Sequence, residues 1–238
     1  MKKILFIGLI LTMLQNAHAQ KLGTLPPFTD WYENPLGFHP LNLHTGNGII
    51  IPAIAATACL LLTKKDTTLV NKISFYSNSG ISHGYYLPKT TMYQNNTGFF
   101  IHLRKWLHIG AEFTVYHPRD GFNDTWGFGV RPMVRFLPIQ KDSYRIFFES
   151  GAGLMYFLKE FPQPTSGYGE FSEPRTGTRW NGTPKYGVGA EVNVNQSLAL
   201  NFGVQHVHVS NGNTWGKERN PGHDSNGFYI GFAYRPMQ

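Results

Sequence analysis

The feature that most constrains the fold is an alternation between apolar residues and small or polar residues, which recurs along most of the chain. In the segment 225–235, Phe228, Ile230 and Phe232 alternate with smaller or more polar residues such as Gly231. A period of two is that of a β-strand, because successive side chains of a strand point to opposite faces of the sheet. The segment is therefore predicted to be a strand with one apolar face.

Seven earlier runs show the same period, which gives eight predicted strands. They lie at 198–210, 186–194, 145–154, 126–136, 107–115, 99–104 and, with a weaker pattern, 69–76. The connections between them alternate in length. The long ones are 77–96, 117–124, 158–184 and 210–224, and the short ones are 104–106, 138–143 and 195–197. Short periplasmic turns and longer external loops are typical of transmembrane barrels.

The polar faces of these runs are rich in glycine and poor in charge. The chain has 26 glycines, and only 15% of its residues are charged. A soluble sandwich would expose a richly charged face, so the pattern favours an all-β, eight-stranded antiparallel transmembrane β-barrel whose apolar side chains face lipid. A soluble lipocalin-like barrel is the structural rival. The lumen is predicted to hold a network of Glu112, Glu149, Glu191, Arg131, Arg135 and Arg145.

The N-terminal residues predict export. Residues 1–19 combine two lysines, a short apolar stretch and an Ala-His-Ala cleavage site, which is the pattern of a secretory signal peptide. Residues 20–66 do not fit the strand pattern, and their structure stays open. Their apolar stretch at 49–62 is too short for a membrane-spanning helix and contains a proline. The barrel domain is predicted to occupy residues 67–238.

Charge and cysteine content exclude two classes of protein. The formal net charge is +7 without a long basic run, so no nucleic-acid partner is expected. Cys59 is the single cysteine, which excludes an internal disulfide framework.

The segment HVHVSNGN at 206–213 carries the candidate chemistry. The alternation of its strand places His206, His208 and Ser210 on the lipid-facing side. In the last strand the outward-facing positions, counted backwards, include Asp224. Antiparallel pairing of the two strands then brings Asp224 beside His208. A nucleophile, a base and an acidic residue that orients the base would then meet on the outer wall. Two other interpretations remain: polar residues at the membrane interface, or a metal site formed by His206, His208, His223 and Asp224.

The sequence HVHVSNG followed by NPGHD resembles the PagL family of outer-membrane lipid A 3-O-deacylases. The family's pattern is His-x-Ser-Asn, a short loop, and then Asn-x-Gly-x-Glu entering the last strand. The matching residues here are His208, Ser210, Asn211, Asn220, Gly222 and Asp224. Asp224 stands where the family has glutamate, and the intervening loop is slightly longer. The resemblance implies an eight-stranded barrel with its active site on the outer surface.

The resulting expectation is an outer-membrane serine hydrolase that removes an ester-linked acyl chain from lipid A, at the 3-O position. Ser210, His208 and Asp224 are the expected catalytic residues, and Asn211 and Gly212 are expected to bind the oxyanion. No cofactor and no metal are implied, and the expected partners are lipopolysaccharide and outer-membrane lipid. The alternative is a non-catalytic outer-membrane barrel with a structural or ligand-binding role. Whether the barrel forms a homodimer stays open.

Overall fold

The computed structural model describes residues 57–58, 60–63, 73–84, 89–163 and 175–236. The predicted signal peptide at 1–19 and most of residues 20–66 lie outside these described residues. Within the described part of the chain, no helix combines the length and the hydropathy that crossing a bilayer requires.

The described residues form ten β-strands, most of them where the sequence alternates. Their bounds are β1 Ile73–Gly84, β2 Thr91–Arg104, β3 Leu107–Arg119, β4 Gly127–Gln140, β5 Tyr144–Gly151, β6 Leu154–Phe161, β7 Thr178–Gly182, β8 Lys185–Asn193, β9 Leu198–Val209 and β10 His223–Tyr234. β7 and the end of β6 lie within the predicted connection 158–184, which is therefore shorter than predicted. One turn of 3-10 helix, Lys217–Arg219, lies between β9 and β10.

These strands close into an antiparallel barrel with eight strand positions. β5 and β6 share one position, because both pair with β4, through Gly151 opposite Met133 and Leu154 opposite Val130. β7 and β8 share another, since they pair with β6 and β5 respectively. β10 pairs with β1 and completes the circle. Closure leaves no open sheet edge, as a membrane requires, and it confirms the predicted eight-stranded barrel.

The two ends of the barrel differ in the length of their connections. One end has the short turns 105–106, 141–143 and 194–197, and the other has the connections 85–90, 120–126, 162–177 and 210–222. Because periplasmic turns are short and external loops are longer, the second end is the external one.

The outer wall carries an apolar band. Its exposed members include Phe75, Phe99, Ile109, Phe113, Phe128, Val130, Phe202, Phe228, Ile230 and Phe232. Side chains of this kind are stable in contact with lipid tails and unfavourable in water, so the band marks the membrane-spanning height of the barrel.

A buried network of ion pairs fills the middle of the lumen. Its members are Glu112, Glu149, Glu191, Arg131, Arg135, Lys185 and Arg235. Arg135 lies between two carboxylates, with N–O distances of 2.9 Å to Glu149 and 2.7 Å to Glu191. Because each buried charge has an opposite partner, the network avoids the large cost of an unpaired ion.

The network differs in membership from the sequence-based prediction. Lys185 and Arg235 belong to it although the prediction did not name them as members. Arg145 was predicted to belong, but among the described residues it forms no ion pair. Its register partner on β8 is Glu191, which is already bound by Arg135 and Arg235.

The first two strands are longer than predicted. β1 continues to Gly84 and β2 begins at Thr91, so the predicted long connection at 77–96 is wrong. Outward positions in this part of the wall carry polar side chains, and Ser77 Oγ lies 2.9 Å from Thr97 Oγ1 across the two strands. A polar outward face removes the alternation on which the prediction depended.

Candidate active site

His208 on β9 and Asp224 on β10 are direct partners in the strand register. His208 Nδ1 donates a hydrogen bond of 2.8 Å to Asp224 Oδ1. A carboxylate can only accept, so the proton lies on Nδ1 and Nε2 is left as an acceptor. In the described part of the chain, Nε2 has no hydrogen-bond partner, and the side chain is 32% exposed. His208 is therefore arranged to take a proton from a group outside the barrel wall.

Ser210 follows on the same face of the wall, where it forms an isolated bridge with Gly182. Its Oγ donates a hydrogen bond of 2.9 Å to Asn220 Oδ1 and accepts one of 3.0 Å from the Gly212 N–H. No hydrogen bond between Ser210 and His208 is present among the described residues. The two-residue spacing thus places both side chains on one face, while Asn220 holds the hydroxyl in this structure.

The predicted oxyanion residues present backbone N–H groups to the site. Gly212 has a φ of +64°, in the left-handed region that glycine adopts without strain, and its N–H donates to the serine hydroxyl. The Asn211 N–H donates to Asn220 Oδ1 at 3.1 Å. The Asn211 side chain points away, because its Nδ2 donates to Thr178 Oγ1 and to the Arg219 carbonyl. Only the backbone of Asn211 faces the site.

Asn220 is a site residue to which the sequence assigned no role. Its Oδ1 accepts hydrogen bonds from both Ser210 Oγ and the Asn211 N–H, and its Nδ2 donates to Asn213 Oδ1 at 2.9 Å. The side chain therefore ties the end of the β9–β10 loop to its beginning. The sequence signal for this residue was its place in the Asn-x-Gly-x-Asp segment, which says nothing about its contacts.

His206 is the second residue whose contacts the sequence did not reveal. It lies on the outward face of β9 but is only 1% exposed, because its ring stacks on Tyr186 with 4.8 Å between centroids. Its Nδ1 lies 3.0 Å from Asn226 Oδ1, and its Nε2 lies 3.3 Å from Asp224 Oδ1. Asp224 therefore faces two imidazole rings.

His223 lies on the other face of β10 from Asp224. Its ring packs edge-on against Phe161 in the barrel interior, with 5.4 Å between centroids. Within the described ranges, no group of three or more His, Cys, Asp or Glu side chains is arranged to hold a metal ion. The alternative metal site, which required His223 beside His206 and Asp224, therefore does not fit this geometry.

The site borders the apolar band of the outer wall. Val204 precedes His206 by two residues on β9, and its register partner on β10 is Phe228. Phe228 is 51% exposed. On the inward face, Val207 and Val209 are fully buried in an apolar cluster. The polar side chains of the site thus begin at the external edge of the lipid-facing surface.

A closed eight-stranded antiparallel barrel with an apolar outer band and a polar lumen defines an outer-membrane β-barrel protein. The family model described as "Lipid A 3-O-deacylase (PagL)" matches residues 89–233. The match covers more than half of the chain, and the chain therefore belongs to the PagL family. Membership assigns it to the lipid A deacylases, which are hydrolases, and places it in the outer membrane.

Solved structures of similar fold are also outer-membrane barrels. Neisserial surface protein A is 8% identical with a TM-score of 0.52, covering 69% of this chain and 97% of its own. The outer-membrane enzyme PagL is 17% identical with a TM-score of 0.48, covering 65% and 97%. The attachment protein Ail of Yersinia pestis is 13% identical with a TM-score of 0.41, covering 70% and 99%. No curated protein sequence matches the chain.

Proposed function

We propose that this chain hydrolyses the 3-O-linked acyl ester of lipid A, with Ser210 as nucleophile, His208 as general base and Asp224 as the residue that orients His208. The observation that carries the proposal is the 2.8 Å hydrogen bond between His208 Nδ1 and Asp224 Oδ1 on the outer wall. It leaves Nε2 of His208 available on the face that carries Ser210. Family membership supports lipid A as the substrate.

The first step forms an acyl-enzyme. The Ser210 hydroxyl exchanges its hydrogen bond with Asn220 for one with His208 Nε2, an adjustment that is common when a substrate enters an apo site. His208 takes the hydroxyl proton as Ser210 Oγ attacks the carbonyl carbon of the acyl ester. The carbonyl oxygen becomes an oxyanion, and the backbone N–H groups of Asn211 and Gly212 turn to it from their present acceptors, Asn220 Oδ1 and Ser210 Oγ.

The intermediate then breaks down to release the sugar. His208 gives its proton to the 3-oxygen of the glucosamine as the bond between that oxygen and the acyl carbon breaks. Water next attacks the acyl-Ser210 ester, with His208 accepting a proton from the water and returning it to Ser210 Oγ. The products are a free fatty acid and lipid A with a free 3-hydroxyl.

Asp224 supports both steps through His208. Its hydrogen bond fixes the tautomer that leaves Nε2 unprotonated, and its charge stabilises the imidazolium that forms in each step. Asp224 is only 9% exposed. Water therefore screens its negative charge weakly, and the charge interacts strongly with the few groups close to it.

The position of the site suits a substrate that arrives from the membrane. The acyl chains of lipid A lie in the outer leaflet, and its sugars lie at the surface. The site borders the lipid-facing surface at Phe228 and opens outward at His208. An ester linking sugar to acyl chain therefore reaches Ser210 along the outer wall without leaving the bilayer.

The test is mass spectrometry of lipid A from cells that express the wild type or Ser210→Ala. We expect the wild type to remove one acyl chain, and fragmentation to assign the loss to the 3-O position. Ser210→Ala is expected to leave lipid A intact at equal barrel content in the outer membrane. Unchanged lipid A in wild-type cells would contradict the proposed activity, and loss from another position would contradict the assigned ester.

A further inference from the structure

We infer that His206 is a positioning residue, which holds the Asp224 carboxylate in the orientation that His208 needs. The inference rests on the proposed function. Asp224 Oδ1 lies 2.8 Å from His208 Nδ1 and 3.3 Å from His206 Nε2, so one carboxylate oxygen joins two imidazole rings. His206 reaches Asp224 from further along the strands, where it is the register partner of Asn226.

The environment of His206 makes it suited to this role. Its ring is 1% exposed and is held between Tyr186, on which it stacks, and Asn226. A ring held on both sides cannot swing away, so its Nε2 stays directed at the carboxylate. An exposed donor would lose that direction through rotamer freedom.

The contact with Asp224 also places a proton on one nitrogen of His206. Asp224 can only accept, so Nε2 of His206 carries a proton. Nδ1 lies 3.0 Å from Asn226 Oδ1, which accepts from it in this orientation of the amide; a rotation of the amide by about 180° would present its nitrogen as a donor instead. The chain of contacts runs from Asn226 through His206 and Asp224 to His208.

A buried residue that acts through Asp224 should affect turnover rather than substrate binding. His206 has almost no surface that lipid A can touch, whereas a small displacement of Asp224 misorients the His208 ring. A displacement of about 1 Å in a catalytic group can cost roughly 100-fold in rate. The expected signature of losing the contact is a lower kcat with an unchanged KM.

Two amide substitutions separate this role from simple filling of space. In His206→Gln the amide nitrogen stands close to the position of Nε2, so it still donates to Asp224. In His206→Asn the shorter amide stands near the position of Nδ1, so it keeps the contact with Asn226 and loses the one with Asp224. Both replacements are neutral amides that differ by one methylene, so the contact with Asp224 is the main difference between them.

The experiment measures deacylation of purified lipid A in detergent micelles by both variants, with heat-modifiable gel mobility to show that each barrel is folded. We expect His206→Gln to keep kcat within about threefold of the wild type and His206→Asn to lose about 10-fold to 100-fold, each with the KM of the wild type. Wild-type kcat in His206→Asn, or equal losses in the two variants, would overturn the inference.

Ser210→Ala in the same assay separates this inference from the proposed function. If Ser210→Ala is inactive while His206→Asn is fully active, the proposed function stands and the role of His206 falls. If Ser210→Ala is as active as the wild type, the proposed function itself fails, and the role of His206 fails with it because there is no Ser210–His208 pair to position.

Discussion

His208 and Asp224 are joined by a 2.8 Å hydrogen bond between side chains that the register of β9 and β10 places directly opposite each other. The backbone ladder of the barrel therefore fixes the distance between the proposed base and its acidic partner without the help of a flexible loop. Side chains on hydrogen-bonded strands are held in place more precisely than side chains on loops. By contrast, Ser210 and Gly212 lie where the strand passes into the loop.

Removal of the charge on Asp224 should reduce activity without unfolding the barrel. Asp224→Asn keeps the size of the side chain but can favour the wrong tautomer of His208 and gives no charge to the imidazolium. In the serine-protease template such a change costs about 10⁴-fold in turnover, and a loss of up to this size is expected in lipid A deacylation. Asp224→Glu keeps the charge and should lose less. A folded Asp224→Asn protein with undiminished activity would remove Asp224 from the mechanism.

Gly212 should not tolerate a side chain, for conformational rather than steric reasons. A Cβ at this position would meet no atom within 4 Å, but the φ of +64° costs an L-residue about 1–2 kcal/mol. Gly212→Ala is expected to turn the N–H away from Ser210 and to reduce kcat by roughly 10-fold to 100-fold.

The matched control for this change is Gly121→Ala. A Cβ on Gly121 would also meet no atom within 4 Å, and the φ of this residue lies outside the left-handed region. Gly121→Ala should retain wild-type kcat. If both alanine variants behave alike in the deacylation assay, the conformation of Gly212 has no catalytic role.

Asn220 should matter for activity more than for barrel stability. Asn220→Ala removes the acceptor of both Ser210 Oγ and the Asn211 N–H, so the start of the loop loses two hydrogen bonds. We expect a drop in kcat of at least about 10-fold, since oxyanion donors act only when they are held in place. The temperature at which the folded gel band disappears should stay within a few degrees. Full activity would show that Asn220 is not needed to order the loop.

Loss of Arg135 should destabilise the barrel itself. The side chain is 2% exposed and balances Glu149 and Glu191 in the lumen. Arg135→Leu leaves both carboxylates without this partner, and breaking a buried ion pair from one side typically costs about 3–5 kcal/mol. Urea titration followed by gel mobility should show unfolding at a clearly lower concentration. Arg145→Leu is the control, since Arg145 forms no ion pair among the described residues and should cause a smaller shift.

The sequence predicts the barrel because its physical signature is local. Alternation along β3, β4, β8, β9 and β10 directly reports which side chains face lipid. The prediction failed at β1 and β2. There Ser77 and Thr97 place polar atoms on the outer wall, so the sequence lacks the apolar–polar alternation that marks a strand. The long predicted connection there followed from this missing signal.

In the candidate site, too, the sequence predicts the contacts that depend on local pattern and misses those that depend on tertiary packing. His208 and Asp224 could be placed together, because strand parity and antiparallel pairing both act over a few residues. The contacts of Asn220 and His206 could not, since they depend on how a loop folds back and on which ring covers another. The alternation of side chains along β9 correctly placed His206 on the outer face. It could not reveal that Tyr186 covers the His206 ring.

In the proposed mechanism Ser210 is a nucleophile activated by His208. The most direct measurement is mass-spectrometric identification of the residue that a serine-reactive fluorophosphonate modifies in the folded protein. We expect a single adduct on Ser210, which disappears in Ser210→Ala and forms far more slowly in His208→Ala. An adduct on a different serine, or an unmodified Ser210 in protein that deacylates lipid A under the same conditions, would contradict it.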